Sequence, residues 1–113
     1  MKAILIDPYD RSISEVEYNG DYKQIYDLID SPSRCFDIAR LENGDGIYVD
    51  DMGMCDGLKL FTYNDYPLAG KALILGSDEE GDSTPPFVTL EEVKKNVKFS
   101  GLVSVGDGRT VIF

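Results

Sequence analysis

Two short apolar runs, Ile47–Val49 and Leu58–Phe61, stand either side of an acidic, turn-rich tip that carries Gly53 and Gly57. Runs rich in β-branched and aromatic residues, closed by Gly and Asp clusters, are the pattern of strand, turn and strand. The stretch from Gly44 to Asn64 therefore reads as a hairpin. The rest of the chain reads as strands and two helices packed against it, which gives an α+β fold: a mainly antiparallel sheet with two short helices on one face.

Lys2–Asp7 (KAILID) is a continuous apolar run of the kind found in strands buried on both faces, and Pro8 ends it because it has no N–H for a ladder. Ser12–Tyr18 alternates and predicts a half-exposed strand pairing back on the first. Asp21 is placed to cap a helix running to Asp30, with Tyr22, Ile25, Tyr26 and Ile29 on one stripe and Pro32 as its stop. Arg34–Leu41 reads as a third strand, and Asn43-Gly44 supplies the positive φ angles of a tight turn into Ile47–Asp50. Leu58–Tyr63 follows, broken by Asn64-Asp65-Tyr66-Pro67, and Lys71–Leu75 is a second fully apolar strand. Ser77–Pro86 is acidic, contains Gly and Pro and has nothing apolar, so it reads as a mobile loop. Thr89-Leu90-Glu91-Glu92 matches a capping box opening a helix that buries Leu90, Val93 and Val97. Two short strands around Gly106-Asp107-Gly108 complete the chain as a hairpin extension over residues 100–113.

A chain of 113 residues fits a single domain with a core of its own. Charge is the outlier: 21 acids against 11 bases leave −10 at neutral pH. Such a field repels phosphates and anionic lipid and attracts basic partners, which argues against direct nucleic acid binding and against membrane association. No run approaches the length of a membrane span, no leader pattern follows Lys2, and both cysteines, Cys35 and Cys55, read as reduced thiols of a cytoplasmic protein.

The chain contains no His. That removes Ser–His and Cys–His nucleophile pairs and leaves too few N/S ligands for zinc. Tyr48-Val49-Asp50-Asp51 copies the Y-x-D-D string with which reverse transcriptases hold Mg²⁺, but a polymerase needs a third acid and several times this length; an acidic turn suffices. Asp45, Asp50, Asp51 and Asp56 lack the spacing of a calcium loop and read as solvated turn acids. Cys55 sits among acids that would raise its pKa, so both thiols read as inert. Gly44-x-Gly46 and Gly106-x-Gly108 open no helix and read as turns. The expectation is thus no catalytic residue, no metal and no cofactor. Two sets remain as candidates for binding: an acidic face made by Asp50, Asp51, Asp56, Asp78, Glu79, Glu80 and Asp82, and interface anchors Tyr9, Met52 and Met54, since aromatic and Met side chains are enriched where proteins meet.

KAILIDP at the start, a short helix with Ile25, NGDGIYVDDMGMCDGLKLFTYN, LAGKALILG and FVTLEEVKKNVKF form an ordered series over Met1 to Phe99. The series resembles a domain-of-unknown-function family of small proteins carried by phages, prophages and conjugative elements. The resemblance implies an α+β fold and a mobile-element origin, and it carries over no catalytic residue. The chain departs from the pattern where Ser31-Pro32-Ser33 replaces a Val-Gly-Gly turn, and Gly101–Phe113 has no counterpart. Charge, missing catalytic groups and resemblance together predict a non-enzymatic accessory protein of the host cytoplasm. It would bind and modulate a host or defence protein that has a basic surface, by mimicking nucleic acid charge. The other reading is a nucleotide- or metabolite-binding sponge acting as a homo-oligomer, against which stands the scarcity of bases; only Arg34, Arg40, Lys59 and Lys71 could cluster. A virion or structural component is a third.

Overall fold

The computed structural model describes residues 1–52, 58–104 and 110–112, with side chains described as far as residue 99. In chain order the elements are β1 (Lys2–Asp7), β2 (Ser12–Glu17), α1 (Tyr22–Leu28), β3 (Phe36–Arg40), β4 (Gly46–Asp50), β5 (Lys59–Tyr63), β6 (Tyr66–Ala69), β7 (Ala72–Ser77), β8 (Ser83–Thr84), α2 (Leu90–Asn96), β9 (Val97–Ser104) and β10 (Thr110–Ile112). A first sheet has the order β2-β1-β7-β4-β3, with β8 added on β7, and a second has the order β10-β9-β5-β6. Every pairing is antiparallel. The α+β, mainly antiparallel architecture read from the sequence is the one observed.

Alternation along the central strands explains the layering. Successive side chains of a strand point to opposite faces. In β1, Ile4 and Ile6 join one buried cluster with Ile47, Val49 and Ile74 of the first sheet and Phe61, Tyr63 and Leu68 of the second. Ala3 joins another cluster, with Tyr48, Leu73 and Leu75, under Ile25 and Ile29 of α1. Both faces of the first sheet are thus apolar and both are covered. The second sheet and α2, through the fully buried Val93, cover one face. Helix α1 covers the other. Here the expectation of two helices on one face is corrected: strands that are apolar on both faces need a layer on each.

The supposed hairpin at Gly44–Asn64 is also corrected. β4 lies between β7 and β3, and β5 lies between β9 and β6, so the two strands are in different sheets. β4 is buried at every position and needs a neighbour on both edges as well as cover on both faces. The tip, residues 53–57, lies outside the described residues. The turn into β4 does form. Gly44 takes φ +94° while Asn43 stays at negative φ, and the N–H of Gly44 donates to Leu41 O at 3.1 Å, so a type I turn followed by a left-handed glycine closes the β3–β4 hairpin.

Two further segments differ from expectation. Asn64 and Asp65 both adopt positive φ, 49° and 69°, which makes the supposed break a two-residue turn, and Tyr66–Ala69 continues as β6. Pro67 is tolerated because β6 is a sheet edge. Ser77–Pro86 is not a plain loop: Ser83 and Thr84 pair with Ser77 and Gly76 as β8. α2 is capped as read, with the Glu92 N–H donating to Thr89 Oγ1 at 3.1 Å. It runs directly into β9, which pairs with β5 and, antiparallel, with β10, so the two C-terminal strands continue the second sheet; Gly106-Asp107-Gly108 between them lies outside the described residues. Among the described residues no helix is long and apolar enough to cross a membrane.

Candidate functional site

Strand register sets which candidate residues meet. Ile6 is opposite Ala72 and Tyr48 is opposite Leu73, so the C-terminal ends of β1 and β4 and the N-terminal end of β7 lie at one end of the first sheet. Asp7, Tyr9 and Asp10 follow β1, Lys71 precedes β7, and Asp51 and Met52 follow β4. The C-terminus of α1 delivers Ile29 and Asp30 to the same end: Asp30, together with Asp7, Tyr9, Asp10, Ile29, Leu58, Gly70 and Lys71, lines a cleft of about 460 Å³.

Lys71 is the hub of this cleft. Its ammonium bonds the Asp30 carboxylate and lies 3.8 Å from Asp7 Oδ2. The hydrogen bond to Asp30 holds its pKa above the usual lysine value; burial opposes this, and the Asp30, Asp7 and Asp10 charges add to it. Asp7 is partly used by the fold, accepting the N–H groups of Tyr9 and Asp10 at 2.9 and 3.2 Å. Tyr9 is 47% exposed; its hydroxyl accepts the Lys59 N–H at 3.3 Å and the Lys59 ammonium lies 5.7 Å from its ring centre. Three carboxylates against one ammonium leave the lining net negative, so it suits a cationic group and not a phosphate. Gly70 forms the turn beside Lys71 at φ +80°, and a Cβ there would stand 2.8 Å from Leu58 Cδ1. Gly70→Ala is expected to destabilise the protein by about 1–2 kcal/mol, read as a lower urea midpoint with an unchanged slope.

The predicted acidic face is divided. Asp50 is 4% exposed and is a structural acceptor: the Ser31 hydroxyl, the Ser33 hydroxyl (2.6 Å), the Ser33 N–H (3.2 Å) and the Met52 N–H (3.1 Å) all donate to it. Burial pushes its pKa up, but these donors outweigh burial and hold it below the usual carboxylate value. Asp51 is exposed, and Met52 is 45% exposed beside it. Asp56 and Met54, like Cys55, lie outside the described residues. Asp78, Glu79, Glu80 and Asp82 sit beyond the far end of β7. At about 3.4 Å per residue that places them about 24 Å from Asp50. Their turn is organised by Asp78, whose Oδ1 accepts the Glu80 and Asp82 N–H groups at 2.9 Å each. Carboxylate oxygens of Asp78, Glu80 and Asp82 come within 4.8 Å of one another, all in solvent.

The four aspartates considered as oxygen ligands are likewise not assembled. Asp45 and Asp50 stand at opposite ends of β4, about 17 Å apart by strand rise. Asp45 is fully buried and accepts the Phe87 and Val88 N–H groups at 2.9 and 3.0 Å. Cys35 is exposed. Sequence reasoning placed Tyr9 and Met52 at an exposed surface and named Lys71 only as a base that could cluster; it missed Asp7, Asp10 and Asp30. Their signal was modest: Asp7 and Asp30 each directly follow an isoleucine that closes an apolar stretch.

A family model described as Domain of unknown function (DUF3846) matches residues 1–98. No curated protein and no solved structure matches the chain.

Proposed function

The chain belongs to the family described as Domain of unknown function (DUF3846), and from that premise we propose that it acts by binding, as an acidic accessory protein of a phage or other mobile element that engages and modulates a host or defence protein with a basic surface. The observation that carries this reading is the placement of charge. Of the described carboxylates only Asp45 and Asp50 are buried, so the described surface is strongly acidic, in a chain that carries −10 overall. The end of the first sheet that holds Tyr9, Asp10, Asp30, Asp51 and Met52 sets an aromatic and a Met side chain, types enriched where proteins meet, among negative charges that complement a basic surface. Any mimicry of nucleic acid is of charge density, not of a continuous phosphate track, since the Asp78–Asp82 group stands at the other end.

The purified protein, immobilised and exposed to host lysate in the cytoplasmic fraction, is expected to retain basic proteins at low salt and release them as ionic strength rises. Retention of no basic protein at low salt would end the reading. Tyr9→Ala combined with Met52→Ala should weaken capture at least tenfold without shifting the melting temperature by more than a few degrees, since both side chains are about half exposed.

The cleft favours a second reading, a small-molecule binder, because its volume of about 460 Å³ is that of ordinary ligand pockets. Its lining directs that reading to amines and guanidines in preference to nucleotides. A thermal-shift panel containing both classes separates the two readings, because a ligand of the native state raises the melting temperature.

A further inference from the structure

We propose that the free edge of β2 is a strand-acceptor site that takes an extended, basic segment of the partner as an added strand. This rests on the reading of a basic partner and specifies how part of it docks.

The edges of the two sheets are not equivalent. In an antiparallel ladder, alternate residues spend their N–H and C=O groups on the neighbouring strand and the rest point outward at an edge. For β3, the Asp51 N–H donates to Cys35 O and the Leu41 N–H donates to Asp45 O, which fixes the inward set and turns Phe36, Ile38 and Arg40 outward. The Ile38 N–H is then taken by the Asp37 carboxylate at 2.9 Å, so the central one of these three outward N–H groups is occupied by the strand's own side chain. For β6, the Gly70 N–H donates to Lys59 O, which turns Pro67 and Ala69 outward. Pro67 has no N–H to offer. Both devices are familiar protections against unwanted strand pairing.

β2 carries neither. The Tyr18 N–H donates to Met1 O at 2.8 Å, and with the register Ala3 to Val16 and Leu5 to Ser14 this assigns the inward bonds to Ser12, Ser14, Val16 and Tyr18. Ile13, Glu15 and Glu17 present their backbone groups at the edge. The strand is six residues long without Pro or Gly, and its four polar positions are exposed. Helix α2 and the second sheet lie over a face of this sheet, where Ile13 packs, and among the described residues no strand pairs with the outer side of β2.

Side-chain charge chooses among occupants. A second copy pairing its own β2 antiparallel about Glu15 would set Glu15 against Glu15 and bring the Glu17 side chains to the same face, which is unfavourable. A strand with Lys or Arg at alternate positions meets Glu15 and Glu17 favourably. Lys2 sits 3.5 Å from Glu15 and the N-terminal ammonium 3.5 Å from Glu17, but the Lys2, Glu15 and Glu17 side chains are 71%, 48% and 80% exposed, so both pairs are readily exchanged. Main-chain bonds would supply affinity and the two glutamates selectivity, as in other strand additions.

The test uses a synthetic extended peptide with Lys at alternate positions and Val or Thr between them, titrated by fluorescence anisotropy at low salt. The full chain should bind it, and a copy N-methylated at the alternate residues that face the protein should bind at least tenfold more weakly at equal charge. Glu15→Pro removes one outward N–H without touching the bonds to β1 and should weaken binding about tenfold, with far-UV circular dichroism reporting whether the fold is kept. Glu15→Lys with Glu17→Lys, a pair that keeps the backbone intact, should reverse the preference toward an alternating Glu peptide. Equal binding of the methylated and unmethylated peptides overturns the strand-acceptor site, while capture of basic proteins from lysate would still stand on its own. Formation of a β2-to-β2 dimer in place of peptide binding would overturn it as well.

Discussion

Asp45→Ala should cost about 4 kcal/mol of stability and lower the melting temperature by about 15 °C or more. Asp45 is fully buried at the start of β4, and its two carboxylate oxygens accept the N–H groups of Phe87 (2.9 Å) and Val88 (3.0 Å) from the segment that leads into α2. The same carboxylate takes the Asn43 amide at 3.1 Å. Removing it leaves two backbone donors with no acceptor in a partly buried place, each costing about 1–3 kcal/mol, and breaks a link spanning more than forty residues of chain. The carboxylate is closely enclosed: a Cβ on Gly76 would stand 3.2 Å from Asp45 Oδ1 and 2.6 Å from Thr84 Oγ1. Asp45→Asn should cost roughly half as much, since one oxygen remains and the amide nitrogen would face donors. Urea denaturation gives the energies. Amide hydrogen exchange at Phe87 and Val88 gives the location: both should lose protection in the alanine variant even at temperatures where the sheets persist. Unchanged exchange there would mean that the tether is not what Asp45 contributes.

That aspartate shows what the sequence could and could not convey. Local signals were legible. The apolar runs of β1 and β7 were readable as buried strands, Asp21 and Thr89 as helix caps, and Asn43-Gly44 as a turn, because each depends on residues within a few positions of one another. Long-range partners were not. Asp45 and Asp50 look like ordinary turn acids in the chain, and only contacts made far away in sequence turn them inward. The same limit hid the pairing of β4 with β7 and of β5 with β9, since two apolar runs separated by a glycine-rich tip resemble a hairpin whichever sheets they enter. Asn64-Asp65-Tyr66-Pro67 was read as a break, yet Pro67 at an outward-facing position on an edge costs no ladder bond. The acidic set was assembled by composition alone, and register then separated Asp51 from the Asp78–Asp82 turn. Tyr9 was found as an exposed aromatic; the lysine and aspartates around it come from three elements and could be grouped only once the ends of β1, α1 and β7 were known to coincide.

Asp50→Ala should destabilise the protein by about 2–3 kcal/mol at neutral pH, and the part of that difference that comes from its charge should depend on pH. Its donors are the hydroxyls of Ser31 and Ser33 and the N–H groups of Ser33 and Met52, so Ser31-Pro32-Ser33, where the chain departs from the pattern it resembles, is the turn that receives this carboxylate. The loss is smaller than at Asp45 because both hydroxyls already reach a second acceptor, Cys35 O, at 3.3 and 3.2 Å. The folded pKa is depressed, so the native state holds the charged form more tightly than the unfolded chain does. The stabilisation is therefore complete above the unfolded aspartate value of about 3.9 and is lost as pH falls through the lower folded value. Stability measured against pH for the parent and for Asp50→Asn should give curves that are parallel above about pH 5 and converge below about pH 4. Ser31→Ala with Ser33→Ala, which leaves the carboxylate in place, should raise the pKa of Asp50 and move the parent's acid loss to higher pH, since burial would then act with fewer donors against it. Curves that stay parallel through the acid range would show that the hydroxyl cradle does not hold Asp50 in its charged form.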